Sequence, residues 1–280
     1  MNVERPKAIP DAPIVEISTL SDYDRAPPSS LPDILYYPYY DRFIPQNENM
    51  VQFGLHPRDR LMAHICLLLS GAALLLNGLV MLGFLPRRDA AVFSLVVGSV
   101  QLALGVGYVA TAGAGATPLL TAAGMFLFGL TYLYVGLDVL LRLGSGGLGW
   151  FCGMVGGFGL LLATAWLGTD PLLAVLWLCW SALWGLFFAS MAAGLGRLDP
   201  FIGWALVLTS QVTATLPAFL GLAGMWPREP VVAGLAAAFL AALFVLAGIL
   251  ARVPARRRVA PRRAGTGHVA VSAGSKAPVS

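Results

Sequence analysis

Apolar residues gather into seven stretches along the chain, near 61–82, 91–112, 118–140, 148–167, 171–193, 201–225 and 231–250. Each is close to the roughly 20 residues that an α-helix needs to cross a bilayer. No period-two alternation of apolar and polar positions recurs, so the strands of a membrane barrel are not predicted. The pattern predicts an all-α polytopic membrane protein with seven spans, joined by loops short enough to make sequential helices neighbours. Polar positions collect at the two ends. Residues 1–60 are rich in proline, acid and serine, and residues 251–280 are basic and of low complexity. Both are predicted to be disordered tails.

Charge strengthens this division. Of the charged residues, 15 lie in 1–60 and 7 in 251–280, which leaves 10 for the 190 residues between them. The whole chain is 11% charged and 58% hydrophobic, with a mean hydropathy of +0.76, whereas soluble domains carry roughly 25% charged residues. A soluble enzyme, a nucleic-acid binder and a disulfide-built secreted module are set aside. Cys66, Cys152 and Cys179 sit in apolar runs without ligand spacing, so they read as small packing residues. No metal or other cofactor is predicted.

The arginines give an orientation. The first, third and fifth loops carry Arg87 and Arg88, Arg142, and Arg197; the tail carries Arg252, Arg256, Arg257, Arg258, Arg262 and Arg263. The second loop has no basic residue, the fourth has only Asp170, and the sixth balances Arg228 with Glu229. Basic loops stay in the cytoplasm. This predicts a multi-pass protein of the inner (plasma) membrane, its N-terminus outside and its basic C-terminus beside the anionic inner leaflet. Arg58 and Arg60, just before the first span, resist that orientation. The start MNVERPKAIPDAP is no signal peptide. The expectation is that residues 1–60 are translocated ahead of a reverse anchor, or that the protein starts at Met50 or Met62.

Inside the spans the informative residues are polar and aromatic rather than charged. Leu67, Ser70, Leu74 and Asn77 are spaced three, four and three, which places them on one face of the first helix. An amide in hydrocarbon needs partners, so Asn77 is expected to face other protein or a polar passage. In the third span Phe128 and Tyr132 lie one turn apart with Thr131 alongside. In the fifth, Trp177, Trp180 and Trp184 line one face with Leu183 beside them. The sixth offers Thr209, Ser210, Gln211, Thr213 and Thr215 before Pro217, and a proline there removes a backbone hydrogen bond. No Lys, Arg, Glu or His lies mid-span, and Asp138 sits four residues before Arg142, the spacing of an interfacial pair. Ion-coupled transport and intramembrane proteolysis both need buried ionisable or nucleophilic sets, and neither set is present. An uncharged path of hydroxyls, amides and flat rings suits a small, planar, neutral and polar solute.

The segments GAALLLNGLVMLG (71–83), FLFGLTYLYVG (126–136), WLCWSALWGLFF (177–188) and TATLPAFL (213–220) resemble those of the AmiS/UreI family of urea channels and short-chain amide transporters. The likeness covers roughly residues 61–226, in order and at compatible spacing. It implies a six-helix channel protomer with an outside N-terminus, assembled as a homo-hexamer with one pore in each protomer, and passive passage of urea or short aliphatic amides. The pore-lining residues it implies are Leu67, Ser70, Leu74 and Asn77 on the first span, Phe128, Thr131 and Tyr132 on the third, and Trp177, Trp180, Leu183 and Trp184 on the fifth. A pore carboxylate on the sixth span of some members falls at Thr209 here, and a family valine is replaced by Ser70. The acid-gated members carry histidine-rich outer loops, whereas the outer loops here hold no histidine, so acid gating is not implied. The chain thus divides into a polar extension (1–60), a channel domain (61–226), a seventh membrane helix (227–250) outside the likeness and a basic tail (251–280). Ala233, Ala237 and Ala241 form a small-residue stripe on that last helix. The expected partners are the solute and membrane lipid. The alternative is a membrane-anchored sensor or scaffold that acts through its tails, with the spans as an anchor.

Overall fold

The computed structural model describes residues 57–112 and 115–253, with side chains from Leu61 onward. Residues 1–56, 113–114 and 254–280, and with them most of both predicted tails, fall outside the described residues. Seven helical segments are long and apolar enough to cross a membrane, and no strand occurs among the described residues. They are α1 (Pro57–Met81), α2 (Arg87–Thr111), α3 (Ala116–Leu141), α4 (Gly146–Trp166) and α5 (Pro171–Met191), a broken sixth crossing, and α8 (Pro230–Arg252). Prolines mark several starts: Pro171 and Pro230 open α5 and α8, where a missing N–H costs nothing. Gly83 and Gly194 take left-handed backbone (φ 76° and 72°) just beyond α1 and α5, the geometry that ends a helix.

The sixth crossing is where the chain departs from a plain helix. It runs through α6 (Asp199–Ser210), a π turn (Gln211–Thr215) and α7 (Leu216–Leu222). Pro217 has no N–H to offer, and the turn before it widens so that the N–H of Leu216 reaches the carbonyl of Gln211. The polar run beside the proline divides by direction. Thr209, Ser210 and Thr213 are fully buried, whereas Gln211 is exposed on the outside of the bundle.

Two antiparallel hairpins, α2 with α3 and α4 with α5, form the closest packed pairs. At Gly98 of α2 a Cβ would stand 2.5 Å from the backbone N of Leu133 and 2.7 Å from the carbonyl of Gly129, so the absence of a side chain permits this approach. Helix α1 lies against α2, α3 and the sixth crossing, and α8 covers α6 and α5 from outside. Helix α8 is the least buried crossing. Its seam is Ala233, Leu240 and Ala247, spaced by sevens; of the alanine stripe only Ala233 joins it, while Ala237 and Ala241 are exposed. Cys66, Cys152 and Cys179 are buried and free.

Candidate functional site

The site is a cavity of about 320 Å³ between α1, α3, α5 and α6, at the small end of ligand-sized pockets. Its mouth lies at the end of the bundle that carries the arginine loops and is lined by Arg87, Asp138, Ser145, Ser190 and Asp199. Its deep end reaches Leu74 and Asn77 on α1, Phe128, Thr131 and Tyr132 on α3, Trp180, Leu183 and Trp184 on α5, and Leu206 on α6. Eight of the twelve residues singled out in the sequence therefore share this cavity. Leu67, Ser70, Trp177 and Thr209 do not line it; they lie beyond its deep end on the same helices, toward the opposite face. The charged lining residues Arg87, Asp138 and Asp199 stand within about one turn of a helix end, and the lining deeper than them is uncharged.

One wall is aromatic. Phe128 is its hub, with ring centroids 5.0 Å from Trp180, 4.8 Å from Trp184 and 5.9 Å from Trp177. The Phe128–Trp180 and Trp177–Trp180 pairs are edge to face, at 88° and 85°, which places positive ring edges on negative faces. Trp177 is wedged against α3, where a Cβ on Gly124 would stand 2.7 Å from its indole. The Trp180 indole N–H donates to Thr213 Oγ1 at 3.1 Å, and Thr213 donates to the Thr209 carbonyl at 2.9 Å. Thr209 turns its own hydroxyl to the Ala205 carbonyl. The sixth crossing thus anchors the aromatic wall from behind, through its π turn, and Thr209 and Thr213 are the backing of Trp180.

The opposite wall is α1, and its polar groups are held from behind by α2. Asn77 Nδ2 donates to the Ala73 carbonyl at 2.8 Å and to Ser94 Oγ at 3.0 Å. Gln101 Nε2 donates to the Cys66 carbonyl at 2.7 Å and to Ser70 Oγ at 2.8 Å. Ser70 Oγ donates to the same Cys66 carbonyl, and Tyr132 donates its phenol hydrogen to the Ser70 carbonyl. Ser70, 1% exposed, is therefore the centre of a clamp between α1, α2 and α3 rather than an open hydroxyl. Gln101 Oε1 is buried and meets no donor among the described residues.

Ser94 and Gln101 are the residues that sequence reasoning missed. Both are fully buried. The available signal was their spacing of seven on one face of α2, which mirrors the spacing of seven between Ser70 and Asn77 on α1.

At the mouth, Asp138 accepts from the backbone N–H and hydroxyl of Ser145, so it ties the end of α3 to the start of α4. It forms no ion pair with Arg142, whose backbone is left-handed (φ 56°) and donates its N–H to the Asp138 carbonyl. The C-terminal cap, which turns the side chain of residue 142 away, decides this in place of the i, i+4 spacing. Ser190 donates to Asp199 across the same mouth.

At the other end of the bundle Asp170 accepts from the Leu173 N–H at 2.9 Å, capping α5, and from the Trp226 indole at 2.9 Å. Burial pushes the Asp170 carboxyl above its usual range, opposed by those two hydrogen bonds and by Arg228. The Trp226 ring also lies 5.6 Å from that of His64 on α1. A histidine thus sits at this face, although none is in the loops.

Residues 62–225 match the sequence profile of the AmiS/UreI family transporter. A protein of Rhodococcus erythropolis that carries the name transporter protein AmiS2 is 39% identical over 203 residues, 72% of this chain and 97% of that protein. A protein of Mycolicibacterium smegmatis named as an amidate substrates transporter is 33% identical over 209 residues, 71% of this chain and 93% of its own length. Both alignments are longer than the segment 62–225. Among solved structures, the crystal structure of the urea channel of Helicobacter pylori superposes with a TM-score of 0.51 at 24% identity, covering 59% of this chain and 99% of that one. The cryo-electron-microscopy structure of that urea channel in its closed state gives a TM-score of 0.53, with the same coverage and identity.

Proposed function

This chain belongs to the AmiS/UreI family of transporters, and from that premise we propose that it is a passive channel for urea or short aliphatic amides. The observation that carries the reading is the change of lining along the cavity. A charged mouth leads to an uncharged neck with a flat aromatic wall on one side and Asn77 on the other. An ion entering that neck would lose its hydration shell to rings and aliphatic carbons. A planar amide loses less: its faces lie along Phe128, Trp180 and Trp184, and its polar edge meets hydrogen-bonding groups. Trp184 lines the cavity and its indole N–H meets no acceptor among the described residues, so it is free to donate to a solute carbonyl. The protein performs no covalent chemistry on the solute.

The twelve residues from Leu67 to Thr209 named from the sequence are proposed as one continuous path. Leu74, Asn77, Phe128, Thr131, Tyr132, Trp180, Leu183 and Trp184 form its open half, and Leu67, Ser70, Trp177 and Thr209 form the packed half that must part for passage. We place the arginine loops in the cytoplasm of a cell whose plasma membrane holds the protein as a homo-hexamer.

Swelling of proteoliposomes tests the function. Urea and acetamide are expected to enter far faster than glycerol or sodium, and faster than into protein-free vesicles. Equal rates with and without protein would overturn the reading. Native mass measured in nanodiscs tests the hexamer, and a monomer or dimer would remove it.

A further inference from the structure

Asn77 is the one side-chain amide that lines the cavity, and its two ends are not equivalent. The Ala73 carbonyl can only accept, so the nitrogen end of the amide must face it. The second hydrogen of that nitrogen goes to Ser94 Oγ. With both hydrogens engaged, the only free capacity of Asn77 is the carbonyl oxygen Oδ1, an acceptor. Nearby polar groups are committed in the same sense. Thr131 gives its hydrogen to the Leu127 carbonyl at 2.7 Å, and Trp180 gives its own to Thr213. The α1 side of the neck therefore offers one acceptor, Asn77 Oδ1, and the Thr131 and Trp180 hydrogens across from it are already committed.

We propose that Ser94, a residue outside the cavity, is a positioning residue that sets solute specificity by turning Asn77 so that its carbonyl reads N–H donors. Ser94 is fully buried on α2 and touches no solute path. It acts by holding one hydrogen of Asn77 on the far side of α1. Without it that hydrogen has no acceptor and the amide is held at the Ala73 carbonyl alone, so the neck meets a free N–H donor beside the Oδ1 acceptor. A solute with N–H donors then loses its advantage over one without them. The same bond also joins α1 to α2, and an interhelical tie with no effect on specificity is the competing account. The two accounts differ in what they move: a tie alone changes every flux by one factor, whereas positioning changes the ratio between solutes.

This inference rests on the channel reading, and the experiment separates the two. Acetamide, which carries two N–H donors, and N,N-dimethylacetamide, which carries none, are compared in proteoliposomes for the wild type, Ser94→Ala, Ser94→Cys and Ser94→Thr. Size differences between the solutes cancel when the ratio is compared between variants. Ser94→Ala is expected to lower the acetamide to dimethylacetamide ratio about fivefold, the worth of roughly one neutral hydrogen bond. Ser94→Thr keeps the hydroxyl and is expected to keep the ratio. Ser94→Cys, near serine in size and a poor acceptor, carries the test if the alanine variant does not insert. An unchanged ratio in a conducting Ser94→Ala or Ser94→Cys channel would overturn the positioning role alone. A wild type that accelerates neither solute would overturn the channel reading and this inference with it.

Discussion

On one side of the cavity α3 and α5 present the rings of Phe128, Trp180 and Trp184, with Trp177 interlocked beyond its deep end; on the other α1 presents an amide. Both walls are held from behind by a second layer of helix, the aromatic one by α6 and its π turn, the polar one by α2. The difference lies in what does the holding. The rings are located mainly by packing, since Phe128 alone meets three indoles within 5.9 Å, and the single bond from Trp180 to Thr213 adds direction. The polar wall has little bulk, and its directions come from paired bonds between Ser94 and Asn77 and between Gln101 and Ser70. One wall is held by packing and the other by directed hydrogen bonds.

The largest effect is expected where packing is removed. Trp180→Ala should lower stability by about 3–5 kcal/mol, measured by thermal unfolding in detergent. Asn77→Leu at the facing wall is the counterpart. It should lower stability by about 1–3 kcal/mol, less than Trp180→Ala, because little packing is lost but the buried Ser94 hydroxyl is left without its partner, while urea flux falls about tenfold. Equal destabilisation by the two changes would show that the walls do not differ as described.

Next come the anchors. Thr213→Val keeps the shape but leaves the Trp180 indole N–H buried without an acceptor, at a cost of about 1–3 kcal/mol. Gln101→Leu removes two bonds but also removes the buried Oε1 that has no donor, so its net cost in the same melting experiment should stay below about 1 kcal/mol. A Gln101→Leu protein that melts well below Thr213→Val would place the directional strength on the wrong wall.

The smallest effect belongs to the far end of the aromatic wall, where Asp170 caps α5 and receives the Trp226 indole. Burial raises this carboxyl from its usual 3.8, so the folded protein holds a proton that the unfolded chain releases. Its contribution to stability is then full below 3.8 and declines as pH rises through the raised folded value. Asp170→Asn should flatten the dependence of Tm on pH over that window and leave the solute ratio unchanged. A steeper dependence would reverse the sign argued for the desolvated carboxyl.

The number of crossings, the absence of strands among the described residues and the faces of α1, α3 and α5 are legible in the amino-acid sequence alone. Length and a 3.6-residue period are local properties, and a bilayer imposes both on each segment separately. Asn77, Phe128 and Trp180 take their places on helix faces in that way. Their partners do not. Whether a polar hydrogen is committed or left free depends on the acceptors that tertiary packing brings to it, here Ser94 from 17 residues away for the second hydrogen of Asn77 and Thr213 from 33 residues away for the Trp180 indole. Pro217 announces a break but not the π turn that re-registers the sixth crossing. Asp138 lies at pairing distance from Arg142 along the chain, and a left-handed cap separates them in the fold. Periodicity assigns a residue to a face because the helix alone sets that geometry. Hydrogen-bond commitment belongs to the assembled bundle, because each donor has only one or two hydrogens to give and several candidates within reach until the helices close.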